Sequence, residues 1–402
     1  MSAVLGEQAV DIASVDIAVV GAGPAGSTLA ALLAGRGVSV AVLDRDVFPR
    51  DKLCGEFLSY DALPLLEPLG VAAAIDAAGA PHIDRCRVVG ARRTYELALP
   101  HPARGVSRLL LDDLLLRTAS ARGARRMDGW TVIELRAVLG SGWRVVAGRG
   151  GERQELHARA VVGAWGRWGR FDQQLGRGFV RDRSHRNFGF KRHYAARSAT
   201  AAGTIDLYSF AHGYLGVNAI EGGLTNICGL VHASRLAGHK GRWDSFVETI
   251  RAEEPGLEAL YAAHEPAQEG YLSSEPVIFR ARSAVEGGVF MVGDASGIID
   301  PLTGNGMAMA VQSALLAAPV LMQLLEHPAR RTAIEDEYRR LHRAFFGPRI
   351  GWSRRAAMLL SRPRLLDAAL AAVPTPRVGE VFLRRTRASR DEVERLSAAW
   401  FG

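Results

Sequence analysis

Lysine and cysteine are both scarce in this chain of 402 residues, and each shortage closes off a class of explanation. The three cysteines, Cys54, Cys86 and Cys228, form no Cys-x-x-Cys pair, which excludes a disulfide framework and a cysteine-based zinc site. The eleven histidines show no His-Glu-x-x-His or related spacing, so no metal centre is expected. Lysine occurs only at Lys52, Lys191 and Lys240, so the net charge of +8 is almost wholly arginine. Those arginines are spread along the chain rather than gathered among aromatics, which argues against nucleic acid as a partner. Long hydrophobic runs are missing as well: none is read as reaching the roughly 18 to 20 residues that a bilayer crossing needs, so an integral membrane protein is not expected. The first residues carry acids where a secretory signal has basic groups, and a cytoplasmic location is expected. With 48% hydrophobic and 23% charged residues, the chain can bury a large core in one or two closely joined domains.

What is present starts near the N-terminus. Asp16 to Val20 is a short β-branched run ending on Gly21-Ala22-Gly23-Pro24-Ala25-Gly26, as a buried parallel strand would. Ser27 to Arg36 has Ala and Leu at helical spacing and is closed by Gly37; Val38 to Leu43 makes a second strand, with Asp44 at its end. In such a βαβ unit the first glycine permits the tight turn, the second lets a pyrophosphate approach the backbone, and the third allows close helix-strand packing. An acid at the position of Asp44 binds the adenosine ribose of a dinucleotide.

Further along, a helix is expected from about Phe57 to Leu69, interrupted by Pro64, and another from the Ser107 cap to about Gly123. Thr131 to Val138 and Trp143 to Ala147 alternate like antiparallel strands, and Leu156 to Val162 is a strand leading into Gly163-Ala-Trp165-Gly166. Residues 176 to 285 are strand-rich and read as a separate sheet layer. Val289 to Val292 is a buried strand, Gly306 to about Leu325 a long Ala/Leu helix, and 329 to 402 several arginine-rich helices.

Gly293-Asp294-Ala-Ser-Gly297, Asp300-Pro301 and Gly304-Asn305-Gly306-Met307 resemble the second FAD fingerprint of the para-hydroxybenzoate hydroxylase-like flavoproteins. That superfamily includes aromatic monooxygenases, geranylgeranyl reductases and flavin-dependent halogenases. The resemblance covers nearly the whole chain. Phe48 to Glu56, with Cys54-Gly55-Glu56, is similar to a loop that passes near the flavin in the geranylgeranyl reductase-like branch. Val106-Ser-Arg108 is similar to a segment whose arginine contacts FAD, and Gly213-Tyr214-Leu-Gly216, with Glu221 and Asn226, looks like the sheet that roofs the flavin. The resemblance implies an α/β fold: a GxGxxG Rossmann-like FAD-binding domain, an antiparallel β-sheet substrate domain and C-terminal helices. It implies domains at 14–175 (FAD, first part, with an inserted segment), 176–285 (substrate sheet), 286–328 (FAD, second part) and 329–402 (helical). FAD would be held by Gly21, Gly23, Pro24, Ala25, Gly26, Asp44, Arg45, Cys54, Gly55, Arg108, Asp294, Gly304, Asn305, Gly306 and Met307.

One departure concerns the electron donor. Where many members carry Asp-Gly, this chain has Trp165-Gly166-Arg167, so NAD(P)H is expected to bind weakly or to be replaced by a separate flavin reductase. The halogenase signature WxWxIP is absent, and its lysine has no motif-supported counterpart. No catalytic residue is identified; Cys54, Glu56, His212 and Tyr214 are pocket candidates. Cys54 is equally a small buried apolar residue and Glu56 a helix-start acid. His185 and His193 read as surface or satisfied histidines. Tyr208, Phe210 and Tyr214 form either a pocket wall or ordinary sheet packing. Arg354 to Leu360 pairs basic with apolar residues, which suits a solvated helix face or, at most, a peripheral membrane contact. The expected activity is a monooxygenase that uses molecular oxygen, through a flavin hydroperoxide, on an aromatic or lipophilic small molecule. The alternative is a double-bond reductase of an isoprenoid, favoured by the Cys54-Gly-Glu56 loop; a maturation factor without turnover is a third reading.

Overall fold

The computed structural model describes residues 12–90, 94–140, 142–182, 187–197, 203–239, 241–372 and 375–402. The strand Ile12–Val20 pairs in parallel with Val40–Asp44 on one side and Glu152–Gly163 on the other. Arg125–Asp128 and Val289–Met291 extend this parallel core outward on either side. Ile17 and Val19 turn to a helical layer, and Ala18 and Val20 turn to the opposite face. Burial on both faces is why this strand reads as a continuous apolar run rather than an alternating one. The helices Pro24–Ala34, Arg108–Ala121 and Gly306–Glu326 form that layer. The hairpin of Thr131–Val138 and Gly142–Arg149 adds the packing on the other face.

Gly306–Glu326 corrects the reading that no run is long and apolar enough to cross a membrane. It passes that test by length and composition, but 72% of its apolar window is buried within the protein. Its apolar residues are spread round the helix because it packs against Pro24–Ala34 on one side and the C-terminal helices on others.

The second sheet is larger than the strand-rich middle of the chain. Among the described residues it has nine strands, and its main path runs His264–Pro266, Asn187–Ala196, Leu224–His232, Gly213–Ala219, Thr204–Phe210, His82–Val89, Thr94–Gly105, Phe57–Leu58. Residues 57–105 thus supply one side of it. Phe57 and Leu58, expected to begin a helix, are instead paired with Gly105 and Arg104, and helix is confined to Leu63–Leu66 before a 3-10 turn. On one face, Phe190, Tyr194, Phe210, Leu215 and Ile227 pack against the helices Trp243–Glu253 and Pro255–Ala262. By the period of two, Lys191, His193, Tyr214, Gly216, Asn218, Asn226 and Cys228 line the other face, which meets the parallel core.

Candidate functional site

Three glycines end the first strand, and the structure separates their roles. At Gly21 (φ 111°) a Cβ would lie 2.3 Å from the Ala164 carbonyl oxygen, and at Gly26 it would lie 1.9 Å from that of Gly21. Both are required by the fold itself. Gly23 has an ordinary extended backbone, and a Cβ there would meet only the Arg108 guanidinium at 3.6 Å. The room above Gly23 is what a pyrophosphate needs. Pro24 opens the helix, and Ala25 is buried behind it, leaving the first-turn amides as the polar groups at this end. Asp44 Oδ2 accepts from the Ala22 amide (2.7 Å) and Oδ1 from the Asp46 amide (3.0 Å), tying the second strand to the glycine turn. Arg45 turns outward, 72% exposed, beside Asp46.

Arg108 opens the helix Arg108–Ala121, capped by Ser107, whose hydroxyl accepts from the Leu110 amide (3.0 Å). Asp112, one turn later, fixes the guanidinium through two bonds of 2.7 and 2.6 Å and also binds Arg50. The second fingerprint begins at Gly293 (φ 61°), whose amide donates to Ser313 Oγ (2.8 Å). Arg167 lies 3.5 Å from Asp294 Oδ2 and donates to the Leu53 carbonyl (3.3 Å), so it joins this turn to the Cys54 loop. Asp300 caps the 3-10 turn Pro301–Thr303; Gly304 (φ 62°) follows, so close to Phe57 that a Cβ would come within 2.7 Å of its ring. Asn305 and Gly306 then start the long helix, with open space over Gly306, while Met307 is buried in the core.

The loop before Phe57 is clamped to the sheet. Glu56 is fully buried in a left-handed conformation (φ 53°), a backbone state that a non-glycine keeps only when its surroundings impose it. The restraints are visible. Lys191 Nζ donates to Glu56 Oε1 (2.6 Å), the Arg108 amide donates to the same oxygen (2.9 Å), and His193 Nε2 lies 2.7 Å from Oε2. Lys191 also reaches Asp51 (2.6 Å) and the Lys52 carbonyl (3.2 Å). Asn218 and Asn226 donate to the carbonyls of Glu56 (3.2 Å) and Cys54 (3.1 Å). Burial pulls the Lys191 ammonium down, but the Glu56 and Asp51 carboxylates outweigh it and hold it above its usual range. Asp51, Glu56 and His193 bring potential metal ligands within 4.8 Å of one another, yet the cation bound to both carboxylates is the ammonium of Lys191. Cys54 is half-buried, and a Cβ on Gly55 would meet nothing within 4 Å, so the clamped loop borders open space.

Other candidates land elsewhere. Tyr214 is on the inner face and donates to Asp300 Oδ1 (2.7 Å); burial raises Asp300 to about 6. Tyr208 and Phe210 turn to the helical layer, so they are sheet packing and not a wall on that face. His212 occupies the exposed hairpin turn (φ 61°), its ring 6.4 Å from that of His232, rather than lining a pocket. Trp165 is a packing residue: its indole fills the space beside Gly163 and Gly169 and donates to Asp172 (3.1 Å), which is itself ion-paired with buried Arg177. His185 and Lys240 lie outside the described residues. Lys191, His193 and Asp51 were missed as site residues. The signal was Lys191 and His193 at i, i+2 in a strand, a spacing that places both on one face.

Gly23, Gly55 and Gly306, where a side chain would enter open space or meet only Arg108, lie alongside Asp44, Arg108, Asp294 and a long helix's N-terminus, and this set fits FAD. Comparison with known proteins agrees. The chain is 28% identical to a tryptophan 2-halogenase of Chondromyces crocatus over 83% of its own length and 66% of that protein. It is 30% identical to a menaquinone reductase of Mycolicibacterium smegmatis (88% and 86% covered), and 27% identical to a 6-methylpretetramide 4-monooxygenase of Streptomyces rimosus (96% and 93%). Its fold matches a myxobacterial chondrochloren halogenase (TM-score 0.77, 22% identity, 97% of each chain). It also matches a geranylgeranyl bacteriochlorophyll reductase-like protein of Thermoplasma acidophilum (TM-score 0.75, 18% identity, 97% of each chain). The FAD binding domain model spans residues 14–345, so the chain belongs to that family and is an FAD-dependent oxidoreductase.

Proposed function

We propose that this chain is an FAD-dependent reductase that saturates a carbon–carbon double bond in a lipophilic, isoprenoid-type molecule. The observation that carries the reading is the buried cluster of Glu56, Lys191 and His193 directly behind the Cys54-Gly55 loop. Adding two hydrogens across a double bond takes a hydride and a proton, and FAD in its reduced form supplies the hydride. The chain's own residues must handle the proton. Imidazole is the side chain suited to proton exchange near neutral pH, and Glu56 fixes the orientation of the His193 ring at 2.7 Å. Lys191 keeps a positive charge beside Glu56, and Asn218 and Asn226 hold the loop backbone so that the half-buried Cys54 thiol stays at the edge of the open space. The likeness to menaquinone reductases over most of both chains supports the same reading.

Oxygenation is the second reading, supported by the match to a 6-methylpretetramide 4-monooxygenase across 96% of this chain. For either, NAD(P)H is the proposed donor, directly or through a separate flavin reductase. Mass spectrometry of product formed from a polyprenyl quinone decides between them. Reduction predicts two added hydrogens, at least one of them from solvent when the reaction is run in deuterium oxide, and equal yield without oxygen. A product carrying one labelled oxygen atom from oxygen gas would refute it.

A further inference from the structure

Among the described residues seven large apolar side chains are markedly exposed, and three of them, Met358 (59%), Leu359 (37%) and Leu365 (50%), fall within eight residues of one another. They occupy the corner between the helices Arg331–Leu360 and Pro363–Ala372. Such side chains scattered singly mean little, but a cluster marks a contact surface. Within 354–365 the charge has one sign; Asp367, half-buried, is the next acid along the chain. Arg354, Arg355, Arg362 and Arg364 are all exposed, and among the described residues none has a carboxylate partner, although arginines elsewhere on the surface are widely paired. Arg354 and Met358 stand one turn apart on the helix Arg331–Leu360, so a cationic and an apolar group share a face, and Arg362 follows just past the helix end. Arg355 and Arg385 bracket Trp352 at 5.6 and 5.5 Å, which brings the helix Thr375–Thr386 to the same corner.

The inner side of this corner leads to the sheet. Leu360 and Leu366 are buried against Leu207, Tyr214, Leu230 and Leu302. Ser209 Oγ donates to the Leu360 carbonyl (2.5 Å), and the His212 amide donates to that of Ser361 (3.2 Å). The corner therefore sits at the end of the inner face that carries Tyr214, Cys228 and Lys191.

We infer that the 354–365 corner docks on the surface of a bilayer rich in anionic phospholipid, with Met358, Leu359 and Leu365 entering the acyl boundary and the unpaired arginines on the headgroups. Guanidinium groups without protein partners are complementary to phosphate, and exposed apolar side chains beside them match the interfacial layer. Docking rests on this surface alone; that the docked corner admits the substrate rests on the reductase reading.

The test is flotation of the FAD-loaded full chain with vesicles. Binding is expected to phosphatidylglycerol-phosphatidylcholine vesicles, to weaken with salt, and to be absent with phosphatidylcholine alone. R362Q with R364Q should lower the partition coefficient about twentyfold at low salt. M358E with L365E should abolish binding while leaving the bound-flavin spectrum intact. Equal binding to neutral and anionic vesicles, or anionic binding unchanged in both variants, overturns the proposal. So does a sedimentation result in which the same variants split a dimer of a protein that binds no vesicle. Because flotation needs no turnover, a failure to reduce an isoprenoid in detergent sinks the reductase reading without touching this one.

Discussion

Replacing Glu56 by Gln removes the negative charge from a site where it is fully enclosed. In the native protein its two oxygens receive Lys191 (2.6 Å), the Arg108 amide (2.9 Å) and His193 (2.7 Å). The amide keeps one acceptor and turns a donor toward the remaining partner, which leaves Asp51 as the one carboxylate on Lys191. Removing one partner of a buried ion pair typically costs about 3 to 5 kcal/mol, and the surviving Lys191–Asp51 bond together with the retained acceptor offsets part of that. A loss of about 2 to 3 kcal/mol in unfolding free energy is expected by denaturant titration of the FAD-loaded protein. The reasoning further requires coupling. Lys191→Met alone should be destabilising because it strands two carboxylates, and the double variant should lose less than the sum by about 1 to 2 kcal/mol. FAD stoichiometry should hold, since Glu56 contacts protein groups, while product formation should fall sharply if the cluster handles the proton. A cost below about 0.5 kcal/mol for Glu56→Gln, or additivity within about that margin, would refute the account of this cluster as one ionic unit.

Gly23→Val should fold normally yet hold no FAD, because its side chain enters ligand space and meets only Arg108; Gly26→Val should fail to fold, and absorbance plus circular dichroism separate the two. Asp300, raised by burial to about 6 from 3.8, binds its proton more tightly folded than unfolded, so its contribution is complete below about pH 4 and lost as pH rises through 6. The stability difference between wild type and Asp300→Asn should therefore shift by about 3 kcal/mol across that window, in favour of Asn at the higher pH; a pH-independent difference would count against the burial of that carboxyl. Reduction of bound FAD by NADPH or NADH in stopped flow should saturate only at high concentration, because Trp165 stands where the family resemblance implies a carboxylate. Saturation at low micromolar cofactor without a partner protein would show that another group has taken over that role.

The cofactor half of this protein is legible in the amino-acid sequence, because its requirements are local. A strand that ends on Gly21, Gly23 and Gly26, an acid at the end of the next strand, and a helix start at Gly304 to Gly306 are each set by backbone freedom over a few residues. What tertiary structure decided is everything that needed distant partners. Glu56 and Lys191 are 135 residues apart, and nothing near either announces the other. Which strand face carries Lys191 and His193 follows from register, and a shift by one residue would turn both away. Phe57 and Leu58 became a strand because Gly105 and Arg104 were available to pair with them. His212 was given to a turn by its neighbours in space, although Gly213 beside it in sequence suggested a pocket, and Trp165 was given to packing beside Gly163 and Gly169. The same holds for the two halves of the site: glycines that make room for a flavin are visible in a sequence, whereas the buried cluster of Glu56, Lys191 and His193 exists only once the 51–56 loop has been brought against the second sheet.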